Sequence, residues 1–251
     1  MKARVTAYAG VQLADYLTGR GIVAVLATAL AAWGYGALNG LTISVFDPSA
    51  GIETREQLRR AIEVLLATFG LILAALSAQG LVARHRRRRY DRAIFANAIS
   101  PLRYYVQGFV LAGFGGAMLA AALAQIVSVV VQPVSVPGVA AYAVLVWLTI
   151  GSLAFLLSSL TMWHTPLLVL LTGAGLALDR LSSAQRAAGQ GNPSLDAVQY
   201  LLPPGHVLVT LSRRFAQGLV VEPQVLAWPV LFGVACLLAA VLLLRRRPFG
   251  T

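Results

Sequence analysis

Three histidines and a pair of serines are the side chains of this sequence best suited to acid–base or nucleophilic chemistry. Ser158 and Ser159 shortly precede His164, whereas His85 and His206 lie in distant segments. A serine nucleophile needs a neighbouring base and a third group that orients that base. The sequence contains neither a Gly-x-Ser-x-Gly elbow nor a His-Glu-x-x-His zinc pair. An intramembrane hydrolase is therefore a disfavoured function for this chain.

The lysine content excludes nucleotide hydrolysis through a Walker A loop. Such a loop needs a lysine after a glycine-rich turn to reach the phosphates, and the only lysine is Lys2. Any ATP-driven work must therefore be done by another polypeptide. The only cysteine is Cys236, so we expect neither an internal disulfide nor a cysteine-bound metal. Glu63 and Asp179 fall near the ends of apolar segments, which argues against a proton-coupled carrier.

Long apolar segments are the elements that must position these residues. The chain has 251 residues, of which 58% are hydrophobic and 12% charged, whereas a soluble domain carries about 25% charged residues. Its mean hydropathy is +0.76. A helix of about 20 apolar residues crosses the hydrocarbon core of a bilayer. The sequence predicts an all-α polytopic membrane protein with one transmembrane domain over residues 1–251 and six spans, at residues 21–46, 61–83, 105–131, 139–162, 166–178 and 225–244.

The region around the fifth span is the least regular part of the pattern. The span is short and contains Gly173 and Gly175, so tilted, broken and partly inserted arrangements are all compatible with it. The following residues, 179–224, are rich in glycine and proline. They predict an outer segment with short helices at 195–202 and 207–216, separated by the break Pro203-Pro204-Gly205.

The distribution of basic residues predicts which side of the membrane each loop faces. With six spans and the N-terminus inside, thirteen Lys and Arg residues fall in inner segments and seven in outer ones. Because Lys and Arg concentrate in cytoplasmic loops, both termini are predicted to be cytoplasmic. Residues 1–20 show no convincing cleavage site and are expected to be retained. Their apolar residues recur near helical spacing and favour an amphipathic helix in the inner interface over a frayed tail.

The loop at residues 84–104 is the densest basic stretch of the chain. We expect its arginines to anchor the loop beside anionic headgroups, and no soluble domain surrounds them to display a nucleic-acid site. Residues 91–99 can form a short helix, which Ser100 and Pro101 would end before the next helix begins. A short helix held below the membrane by two spans is suited to docking on a soluble protein. The anchoring residues are Arg84, Arg86, Arg87, Arg88 and Arg89.

Two short motifs resemble those of the permease subunits of type-2 ABC exporters, the ABC-2 family. Ser100-Pro101-Leu102-Arg103 is similar to the family's Ser/Thr-Pro-Leu/Val-Ser-Arg stretch. Residues 90–95 stand where the family often has Gly-Thr-Leu-Glu, and here the sequence departs from that pattern. Residues 201–206 more loosely resemble the family's proline-containing outer segment. The order of predicted elements extends this resemblance over nearly the whole chain.

This resemblance implies an N-terminal elbow helix at residues 1–20, six spans, a coupling helix after span two and short outer helices between spans five and six. It implies a dimer of permeases on two ABC ATPase subunits in the prokaryotic cytoplasmic membrane, with ATP and Mg²⁺ bound by the ATPases and no cofactor in this chain. Spans one, two and five would line the path. A non-transport membrane subunit of a larger assembly is the main alternative. The residues expected to couple to the ATPase are Arg92, Phe95, Asn97, Ser100, Pro101 and Arg103.

Overall fold

The computed structural model describes residues 100–130, 133–161, 163–187 and 193–246, and a few positions before residue 100: residues 10, 14, 19, 22, 23, 26, 65, 68–72, 74, 75 and 82. The described chain is helical and contains no strand, which confirms the all-α prediction. The predicted coupling helix lies outside the described residues, as do most positions of the predicted elbow helix and of the predicted spans one and two.

Seven α-helices follow one another in the continuous part of the described chain. Four apolar stretches within them are long enough to cross a membrane: Leu102–Val129, Val136–Leu160, His164–Gln185 and Pro223–Arg246. The prediction of membrane-spanning helices is confirmed at these four places. The helices are α1 (Pro101–Val130), α2 (Val136–Val146), α3 (Ser152–Leu160), α4 (His164–Ala187), α5 (Pro193–Gln199), α6 (Gly205–Ala216) and α7 (Pro223–Arg246).

Helix α2 continues into α3 through a π-helical turn, Trp147–Gly151, so that together they form one span. This span is the most buried of the four and forms the centre of the bundle. The ring of Phe109 in α1 lies 4.8 Å from the ring of Trp147 and 5.2 Å from that of Phe155. Because Phe109 lies early in α1 and Phe155 lies late in the α2–α3 span, α1 runs antiparallel to that span.

Helix α4 is longer than the predicted fifth span. The prediction ended at Leu178, but the helix continues unbroken past Gly173 and Gly175 and includes residues 179–187. Gly175 is explained by a close contact, because a Cβ there would lie 2.9 Å from the carbonyl oxygen of Pro203. Glycine at this position therefore admits the neighbouring backbone, and it does not mark a break in the helix.

Two short helices, α5 and α6, lie between α4 and α7, where the sequence predicts an outer segment with two short helices. The dipeptide Pro203-Pro204 separates them, since proline has no backbone N–H for a continuing helix. Helix α6 is amphipathic and buries Leu208 and Leu211 completely. Its chain then reverses at Gly218, whose φ of 68° lies in the left-handed region that glycine adopts without strain.

Candidate functional site

The bundle formed by the described helices has two ends, and the two ends differ in charge. Ser100 directly precedes α1, Trp163 lies in the tight turn between α3 and α4, and Arg246 ends α7. The contact of Phe109 with Phe155 places the start of α1 beside the end of α3. We call this the basic end, because the described helices carry Arg103, Arg245 and Arg246 there and no acidic residue.

The opposite end holds the two short helices, and we call it the short-helix end. The backbone N–H of Ser135, just before α2, donates to the carbonyl of Ala216 at 2.8 Å. Gly138 contacts the carbonyl oxygen of Phe215 so closely that a Cβ would not fit. These contacts fasten the end of α6 to the start of α2. Acidic and basic residues both occur at this end, among them Asp179, Arg213, Arg214 and Glu222.

Three of the predicted coupling residues lie at the basic end. Ser100 is exposed, and its carbonyl accepts a hydrogen bond from the N–H of Tyr104 at 3.0 Å. Pro101 is the first residue of α1, the position where proline costs a helix least. Arg103 is exposed in the first turn. The other predicted coupling residues, Arg92, Phe95 and Asn97, lie outside the described residues, as do the anchoring residues Arg84 and Arg86–Arg89.

A contact at the basic end joins span two to α3. The backbone N–H of Val82 donates to the hydroxyl oxygen of Ser158 at 3.2 Å, and both residues are buried. Val82 lies two positions before Arg84, where the basic loop begins. Sequence reasoning considered Ser158 only as a possible nucleophile and missed this role. A serine in an apolar helix was the one available signal, since such hydroxyls often bond a neighbouring helix.

The middle of the bundle has polar contacts around the π-helical turn. The hydroxyl of Thr149 lies 2.8 Å from the carbonyl oxygen of Leu145 and 3.3 Å from that of Pro229 in α7, and it can donate to either. Gly233 lets α7 approach the carbonyl of Leu148 so closely that a Cβ would not fit. Ser152 is fully buried, and its hydroxyl has no hydrogen-bond partner among the described residues.

A polar cluster at the short-helix end connects α4, α5 and α6. The side-chain amide of Gln199 donates to Asp179 Oδ1 at 2.8 Å and lies 3.4 Å from His206 Nδ1. His206 Nδ1 is 3.6 Å from Asp179 Oδ1. Both Asp179 and His206 keep about a third or less of their side-chain surface exposed, at 26% and 32%. These contacts hold the two short helices against α4. The sequence analysis considered Asp179 and His206 separately and did not predict that they lie close together.

The two serine side chains considered for hydrolytic chemistry form hydrogen bonds with backbone groups. The hydroxyl of Ser159 donates to the carbonyl of Leu156 in its own helix at 2.7 Å, and Ser158 accepts from Val82. His164 Nδ1 has no hydrogen-bond partner within the described part of the chain. The described residues also contain no group of three or more His, Cys, Asp or Glu side chains placed to hold a metal ion.

The sequence matches no known family model, no curated protein and no solved structure.

Proposed function

We propose that this chain is the permease subunit of an ATP-driven ABC exporter of the type-2 class. The observation that carries the proposal is the order of helices after Ser100. A long apolar helix begins directly at the Ser-Pro-Leu-Arg motif, two further apolar spans follow, and two short helices precede a last span that ends in arginines. The resemblance to ABC-2 permeases implies this order.

The basic end would face the cytoplasm and meet the ATPase. Exposed Ser100 and Arg103, together with Arg245 and Arg246, provide a polar and positively charged surface beside the predicted coupling helix. The six-span prediction places thirteen Lys and Arg residues on this side of the membrane and seven on the other, in agreement with the rule for cytoplasmic loops. The short-helix end would then face outward, in the prokaryotic cytoplasmic membrane, and both termini would be inside.

A second permease protomer would pack against α4, alongside spans one and two. Helix α4 is the least buried of the four apolar spans. Gly173 and Ala177 lie one turn apart and are both exposed, and a Cβ at Gly173 would meet nothing within 4 Å. Small residues at this spacing allow another helix to approach closely, so this face is suited to a protomer interface beside the path.

Replacing Phe95 with Asp in the predicted coupling helix tests the proposal. A charge at an apolar contact disfavours docking, so we expect the variant to insert into the membrane normally. It should either co-purify with much less ATPase or lose most of the stimulation of ATP hydrolysis. Val220→Asp is the matched control, because Val220 is 93% exposed and lies at the short-helix end. Unchanged association and unchanged hydrolysis in Phe95→Asp would remove Phe95 from the coupling contacts.

A further inference from the structure

The end of span two has one backbone donor whose partner comes from another helix. Val82 is fully buried and lies in a turn. In apolar surroundings such a donor must find a partner within the protein. Its partner is the hydroxyl of Ser158, at 3.2 Å and 76 residues away along the chain.

The two neighbouring serines of α3 have different bonding partners. Ser159 donates to Leu156 within the same helix, at 2.7 Å. Ser158 accepts from a different segment, and only 1% of its surface is exposed. Of these two contacts, the one made by Ser159 lies within α3, and the one made by Ser158 joins α3 to span two. Since the two residues are adjacent and chemically identical, each is a control for the other.

The span that contains Ser158, formed by α2 and α3, extends to the short-helix end of the bundle. Helix α3 continues through the π-helical turn into α2, and α2 is fastened at its start to α6 through Ser135 and Ala216. A displacement of Val82 therefore acts on a span that touches the outer helices. The basic loop starts two positions beyond Val82, so the hydrogen bond lies where the loop meets the membrane-spanning part.

From these contacts we infer that Ser158 is a positioning residue for coupling: its hydroxyl fixes the start of the arginine-rich loop to span four, which carries loop movement toward the short-helix end. This inference rests on the proposed function for the origin of that movement. The hydrogen bond itself does not depend on it. The two parts can therefore be tested separately.

Hydrogen exchange tests the bond in the purified full-length chain in lipid nanodiscs. Loss of a buried hydrogen bond changes the equilibrium constant for local opening by roughly tenfold. Because exchange of a protected amide follows that opening, we expect the amide of Val82 to exchange about tenfold faster in Ser158→Ala. Ser159→Ala should leave that exchange unchanged, and Ser158→Thr, which keeps the hydroxyl, should restore it. Equal exchange in Ser158→Ala and the unaltered chain would overturn the inference.

ATP hydrolysis by the complex with the co-purified ATPase tests the positioning role. We expect Ser158→Ala to bind the ATPase normally but to change the stimulated hydrolysis rate several-fold, while Ser159→Ala and Ser158→Thr behave like the unaltered chain. A normal rate in Ser158→Ala, despite faster exchange at Val82, would contradict the role in coupling. If the unaltered chain brings down no ATPase, the proposed function fails and the coupling role with it, whereas the exchange result still decides the bond.

Discussion

Glycines at helix contacts set how closely the spans of this chain approach one another. Gly113 faces the indole of Trp147, Gly138 faces the carbonyl of Phe215, and Gly233 faces that of Leu148. A backbone carbonyl cannot move aside as the end of a flexible side chain can, so a methyl group at Gly138 or Gly233 forces the helices apart. Gly173, in contrast, faces open space.

Gly233→Ala is therefore expected to destabilise the protein by about 1–3 kcal/mol, the usual cost of overpacking a well-packed contact. In the monomeric chain, separated from any second protomer, Gly173→Ala should leave stability unchanged or raise it slightly, because alanine favours a helix over glycine by about 1 kcal/mol. Thermal unfolding in detergent, followed by tryptophan fluorescence, compares the two. Equal melting temperatures for the two variants would contradict the close contact at Leu148.

Two buried hydroxyls near the π-helical turn are expected to respond in opposite ways to removal. Thr149→Val deletes a donor within reach of the carbonyl of Pro229 and should cost about 1 kcal/mol. Ser152→Ala removes a buried hydroxyl that has no partner among the described residues, so it should be neutral or stabilising. The same unfolding assay measures both, and a larger loss in Ser152→Ala than in Thr149→Val would show that the serine has the more important partner.

At the scale of helices, the apolar pattern predicted the positions of the four described spans correctly and the end of α4 incorrectly. The four described spans match predicted apolar segments because hydropathy reports directly on what a bilayer tolerates. The end of α4 was missed because Asp179 and Arg180 looked like the start of a loop. Asp179 instead bonds Gln199 of α5, a contact between distant residues that no local pattern contains. The π-helical turn likewise has no signature in the sequence.

The arrangement of the helices predicts that Val220 and Trp163 face opposite sides of the membrane. Both are highly exposed, at 93% and 73%, and the α2–α3 span lies between their two ends. In a Cys236→Ala background, a membrane-impermeant maleimide should label Val220→Cys in intact cells, and Trp163→Cys only after permeabilisation. The buried Cys236 of the unaltered chain is the negative control. Labelling of Trp163→Cys alone in intact cells would invert the orientation proposed here.

At the scale of the whole molecule, the described chain combines a basic end, an apolar middle and an end that holds two short helices. The described residues hold no metal-binding group, and the sequence has no lysine for a nucleotide loop. At the basic end the buried backbone N–H of Val82 donates to Ser158 in the α2–α3 span, and this is the contact to which we assign a role in coupling. A local motif predicted Ser100, Pro101 and Arg103 as coupling residues, and their role stays a prediction. The contact between Val82 and Ser158 depends on packing, which no local motif reports.

The central claim is that a separate ATPase drives this protein, and isolation of the tagged full-length chain from its native membrane tests that claim most directly. We predict that the purified complex contains, in stoichiometric amount, a soluble subunit with a Walker A loop that hydrolyses ATP. A complex in which every partner lacks such a loop, or a chain that is active without any partner, would contradict the account.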